Sequence, residues 1–166
     1  MKTFRPLPLI LLFVAMPCFS HPHFFKEVRF AFERGSDTDQ WISVSHITVP
    51  YNEIAAGSLP SGESWHLGFA TLKTGTKMKI GSTEIEAGEY TLHAKRESES
   101  DWSLLLLPKG KEGSDNQIHL KGELIDGLEN EEHLTIEIHP VGDKEHTQVV
   151  LEVRFGPYSI QAPIEK

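Results

Sequence analysis

Two histidines separated by one residue, His21-Pro22-His23, carry the sharpest chemistry in this chain. In an extended backbone, residues two apart point the same way, with about 6.6 Å between Cα atoms, so both imidazoles can converge on one ion. A histidine at a chain terminus adds its α-amine to its ring, a chelating pair suited to copper. Pro22 lacks an amide hydrogen, which blocks the amino-terminal copper mode that needs deprotonated amides at the second and third positions. What remains is a histidine-brace-like set: the His21 amine and ring, His23, and a third ligand drawn from His46 or His66. The bland reading is that His-Pro-His follows a cleavage site and opens the first strand.

The brace requires cleavage before His21, and residues 1–20 read as a secretory signal. Lys2 and Arg5 give a positive start, positions 7–19 are apolar but broken by Pro8 and Pro17, and Phe19-Ser20 precedes the expected cut. The apolar run is too short and too interrupted to span a bilayer. The mature chain is therefore expected to be residues 21–166, one domain, periplasmic or secreted, with no stable membrane insertion after cleavage. Cys18 is the only cysteine, so the mature domain is expected to be disulfide-free and held by its core alone. Its length suffices for that. A formal net charge of −8 argues against nucleic acid or anionic membrane as a partner.

The other histidines of the nine suggest less. His133 and His139 share a strand face but lie about 20 Å apart, too far to share an ion, and read as a wet face with Thr135 and Glu137. His93 and His119 alternate outward. No catalytic motif is complete: Gly62-Glu-Ser64-Trp-His66 misses the nucleophile-elbow pattern at its last position, and no P-loop, dinucleotide fingerprint or His-Glu-x-x-His occurs. The chain reads as a non-catalytic protein that requires no cofactor, copper being the ion that its terminal histidines would suit.

The elements that position these groups are strands, because the hydrophobic period is two almost throughout. Val28, Phe30 and Phe32 alternate with polar neighbours, and 41–49 alternates again up to Pro50, predicting a hairpin. Residues 51–64 read as a loop with one helical turn. Further strands are expected at 65–72, 78–80, 83–85 (paired back through Gly81-Ser82), 90–95, 102–107, 118–124, 134–138 and 148–155. The last, 158–164, reads as an edge strand because it carries Pro163. Roughly ten short strands predict an all-β fold, a single antiparallel β-sandwich or flattened barrel.

Two stretches add a resemblance. Ala87-Gly88-Glu89-Tyr90-Thr91-Leu92, followed by Asp101-Trp102, and upstream Trp65-His66-Leu67-Gly68 before Ala70-Thr71-Leu72, resemble the signature of a secreted bacterial family, domain-of-unknown-function family 2911. The likeness runs from about Trp41 to the tail at 149–155, Ser159-Ile160 and Pro163-Ile164. It implies a β-sandwich-like domain whose activity is not established. Glu53 to Glu63 is neutral to acidic where many members carry a basic stretch, Phe69 replaces a polar residue, and Pro108-Lys109 replaces an asparagine. Within the motif Gly88 is expected to turn the chain, Tyr90 and Leu92 to face the core, and Trp102 to cover it.

These readings converge on an exported binding module for an envelope partner or small-molecule ligand, contacted through loops 53–63 and 109–116, with Trp65 and His66 as contact candidates. A carbohydrate preference would need Trp41, Trp65 or Trp102 to be exposed. The alternative is a copper-binding periplasmic protein using His21, His23 and His46.

Overall fold

A computed structural model describes residues 23–32, 40–111, 113–125, 130–142 and 148–166. The alternating segments become strands in chain order: β1 (Phe25–Ala31), β2 (Trp41–Ile47), β3 (Ser64–Thr74), β4 (Met78–Ile80), β5 (Thr83–Ile85), β6 (Gly88–Arg96), β7 (Trp102–Pro108), β8 (Ile118–Leu120), β9 (Glu123–Ile125), β10 (Glu131–Val141), β11 (Gln148–Gly156) and β12 (Tyr158–Glu165). One short helix, α1 (Glu53–Ser58), links β2 to β3.

The strands form two antiparallel six-stranded sheets. Sheet I has the order β1-β2-β3-β6-β7-β8, and sheet II runs β10-β11-β12-β4-β5 with β9 beside β12. The all-β expectation holds, with two sheets that do not close into a barrel. Alternation puts Ile42, Leu72, Leu92, Leu104 and Leu106 of sheet I against Ile136, Leu151, Val153, Phe155 and Ile160 of sheet II, all of them buried. Each such side chain contributes roughly 1.5–3 kcal/mol through removal from water.

Three local expectations need correction. The stretch 118–124 is not one strand: β8 belongs to sheet I and β9 to sheet II, the chain crossing between sheets at Lys121-Gly122. Strand β12 is central, since β11 pairs along one side while β9 and β4 share the other. Pro163 fits there because β9 pairs Ser159 to Gln161 and β4 pairs only Ile164 and Glu165, so Pro163 falls in the gap between them and its missing N–H interrupts no ladder. Gly88 does not take the left-handed conformation; the turn is tied instead by the Tyr90 hydroxyl donating to the Glu86 carbonyl at 2.7 Å.

Two further features shape the site. After β2 the chain turns onto sheet II, where the Leu134 amide donates to the Val49 carbonyl and the Tyr51 amide to the Glu132 carbonyl, each at 2.8 Å. This stitches the β2 end of sheet I to the β10 edge. In β3, consecutive left-handed residues Gly68 and Phe69 (φ 52° and 56°) shift the register against β6 between His66 and Thr71. A Cβ at Gly68 would overlap the Ile47 carbonyl, so only glycine allows that approach. The bulge turns Phe69 outward, 73% exposed.

Candidate ligand-binding clefts under helix α1

The end of the sandwich nearest α1 is built on Phe155. This fully buried ring is met by Trp102 at 5.2 Å, Trp65 and Tyr158 at 5.6 Å, and Tyr51 at 6.4 Å between centroids. The Trp65 and Trp102 contacts are edge-on, the arrangement that ring quadrupoles favour. Tyr51 can close over Phe155 because the next residue is Gly156, left-handed at φ 54° and pressed on the Tyr51 ring.

Helix α1 covers this cluster lightly. Asn52 caps it by accepting from the Ala55 amide at 3.0 Å, as an N-cap side chain should, yet the helix itself buries no residue. Only Ala56 and, just beyond, Leu59 pack inward. The main tether is Arg96, whose Nη1 donates to the Gly57 and Leu59 carbonyls at 2.7 and 2.6 Å while Nε and Nη2 reach those of Ser98 and Glu99. That guanidinium is committed to main-chain oxygens and is a clamp for α1, not a free anion receptor.

Two clefts flank α1 and share Tyr51, Ala56 and Trp102 as walls. The larger, about 460 Å³, is mainly apolar and includes Val49, Leu59, Trp65 and His66. The other, about 410 Å³, is rimmed by Glu53, Glu99, Asn130 and Tyr158. Between them stands Trp102, 4% exposed, whose buried indole N–H has no hydrogen-bond partner. An unpaired buried donor costs about 1–3 kcal/mol, which an acceptor on a ligand would relieve. Burial raises the Tyr51 pKa, and the neighbouring Tyr158 and Glu53 raise it further, so the phenol stays protonated.

His66 lies at the mouth of the larger cleft and stacks on His93, its partner across β3–β6, with centroids 4.6 Å apart and planes 15° from parallel. Its Nε2 donates to the Ala70 carbonyl at 3.2 Å. Burial, reinforced by His66, lowers the His93 pKa to about 4, so this ring is neutral at neutral pH. Two face-to-face rings at this separation cannot both point a nitrogen lone pair at one ion at bond lengths of ~2.0–2.1 Å. The stack is a packing element.

Of the residues singled out by sequence, Trp65 and His66 come together at the cleft. Trp41 is half-buried under the Arg29 guanidinium, 4.4 Å from the ring centroid, and Trp102 is in the core. His21 lies outside the described residues. His23 is exposed, its Nδ1 donating to the Thr48 carbonyl at 3.0 Å. His46 is buried at 1% exposure between the sheets, with neither ring nitrogen hydrogen-bonded. Burial pushes its pKa down to about 4, Lys26 lowers it further and Glu137 opposes both.

Sequence reasoning missed Tyr51, Tyr158, Asn130 and Arg96, which converge from four separate segments. It also placed Glu137 and His139 on a wet face without their neighbour Glu152, with which they form the one group of three ligating side chains among the described residues. Ser159 donates to one Glu152 oxygen at 2.8 Å and His139 meets the other at 2.8 Å. The carboxylate therefore separates serine from histidine, an order that activates no nucleophile.

Comparison with family models, with curated proteins and with solved structures finds no match to this chain. Its functional reading rests on the geometry above.

Proposed function

We propose that the protein is an exported, non-catalytic binding module of the family 2911 type that holds a small, largely apolar ligand in the cleft beneath α1. The observation that carries this reading is the aromatic wall of Trp65, Trp102 and Tyr51 facing about 460 Å³ of cleft, with an unpaired indole N–H at its edge. Preformed sites for small ligands have this composition: apolar walls and a few placed polar groups. The ligand that fits is neutral and flat, with one carbonyl or hydroxyl acceptor for Trp102 and a flank that rests on His66. Among the described residues the lining of this cleft includes no Lys or Arg to favour an anion, and Arg96 in the neighbouring cleft is committed to main-chain carbonyls.

The test is a fluorescence titration with the neutral dye Nile red. Saturable one-to-one binding is expected, weakened at least tenfold by Trp65→Ala, which opens the apolar wall, and by Ala56→Arg, which fills it. Binding that ignores both substitutions would refute the cleft as the site.

A second reading, copper binding at the mature terminus, draws on His23. Its Nδ1–H is fixed by a carbonyl, leaving Nε2 as the acceptor, which is how ligating histidines are commonly oriented. Loss of tight copper binding in His21→Ala, on protein whose cleavage before His21 has been verified by mass, is the result that this reading requires.

A further inference from the structure

On the outer face of sheet II, away from the α1 clefts, Glu137 of β10 and Glu152 of β11 stand directly opposite each other, and His139 lies two residues along β10 on the same face. Each offers a ligating atom, and these atoms all lie within 4.8 Å of one another. We propose that Glu137, His139 and Glu152 form a binding site for a borderline divalent transition ion, with zinc the ion that best suits the donor set.

Charge makes the first argument. Like charges directly opposite on antiparallel strands destabilise the pair, and Glu152 is only 8% exposed. Gln161, Ser159 and His139 all hydrogen-bond to this carboxylate, and Arg154 stands beside it. Among the described residues Arg154 is the cation in ion-pair range of the cluster, and it is shared three ways. Its Nη1 sits 3.1 Å from Glu131, Nη2 is 3.6 Å from Glu137 and Nε 4.0 Å from Glu152. The close contact is to Glu131, outside the triad. Among the described residues, one guanidinium faces three carboxylates, which leaves this group short of positive charge.

Orientation makes the second. Glu152 Oε1 accepts from Ser159 Oγ at 2.8 Å and from Gln161 Nε2 at 2.9 Å, which turns Oε2 toward His139 Nε2 at 2.8 Å. Outer hydrogen bonds that lock a ligating carboxylate are a regular part of metal sites. Tetrahedral donors at ~2.0–2.1 Å from an ion stand about 3.4 Å apart, so a small opening of the His139–Glu152 contact admits one. His139 and Glu137 are 33% and 41% exposed, which leaves room for water as the fourth ligand. An imidazole among the donors selects zinc-like ions over calcium or magnesium, which take oxygen.

The experiment is calorimetric titration of the full chain with zinc chloride after chelator treatment, alongside calcium as the oxygen-seeking control. Zinc is expected to bind one-to-one and to outcompete calcium. His139→Ala and the partly exposed Glu137→Gln should each weaken zinc at least tenfold while circular dichroism shows the strands intact. Ser159→Ala, which touches no ion, should weaken it several-fold. Arg154→Met should strengthen it, because the competing cation is gone; a cluster serving only as an ion pair would gain nothing from that change. Zinc affinity unchanged by His139→Ala and Glu137→Gln, or abolished by His23→Ala alone, would overturn the proposal.

Discussion

His46 is a titratable ring enclosed between sheets with no hydrogen-bond partner, and it sets a pH dependence. Its pKa is about 4 in the folded protein against the ordinary 6.5. Between those values the unfolded chain takes up a proton that the folded protein refuses. Stability should therefore fall as pH drops from about 6.5 to about 4, by roughly 3 kcal/mol at most, and be independent of this residue outside that window. His93, lowered to about 4 for the same dominant reason, adds in the same direction. In His46→Leu the slope should flatten without loss of stability at neutral pH, since no hydrogen bond is given up. Urea midpoints at pH 7 and pH 4.5 measure it; an equal drop in variant and parent would place the titration elsewhere. The sequence supplied His46 as a candidate ligand because its type was visible, whereas its burial depends on how the β2 end is stitched to β10, which no local pattern encodes.

At the scale of elements, the cleft depends on a turn. Gly156 joins β11 to β12 in a left-handed conformation against the Tyr51 ring. Gly156→Ala should cost roughly 1–3 kcal/mol for the backbone alone, and it should also push Tyr51 from Phe155, disturbing Nile red binding at a site the residue does not line. Loss of stability with unchanged dye affinity would show that Tyr51 adapts. Local chemistry was legible in several such elements. Gly81-Ser82 announced the β4–β5 hairpin, and the turn-rich 51–64 stretch announced a single helical turn. Non-local pairing was not: Pro163 argued for an edge by its missing N–H, but a gap between two short partner strands serves it equally well. Trp65 and His66 could be picked from a motif, while Tyr51, Tyr158 and Arg96 join the site only through the fold, as Glu152 joins Glu137 only through register.

For the molecule as a whole, the sheet order makes β12 the strand that unites sheet II. It holds β11 on one side and β4 with β9 on the other, and it buries Ile160, Ala162 and Ile164. A chain ending at Gly156 should fail to give a cooperative thermal transition, with the remaining strands unable to cover the core faces of Leu72, Leu92 and Leu104. A sharp transition near the parent's would mean that β4–β5 can dock on β11 directly. The same placement bears on synthesis. Until the residues after Pro157 have left the ribosome, sheet II exists only as two unjoined hairpins, β4–β5 and β10–β11. The nascent polypeptide is thus kept from locking shut until β12 has emerged to join them.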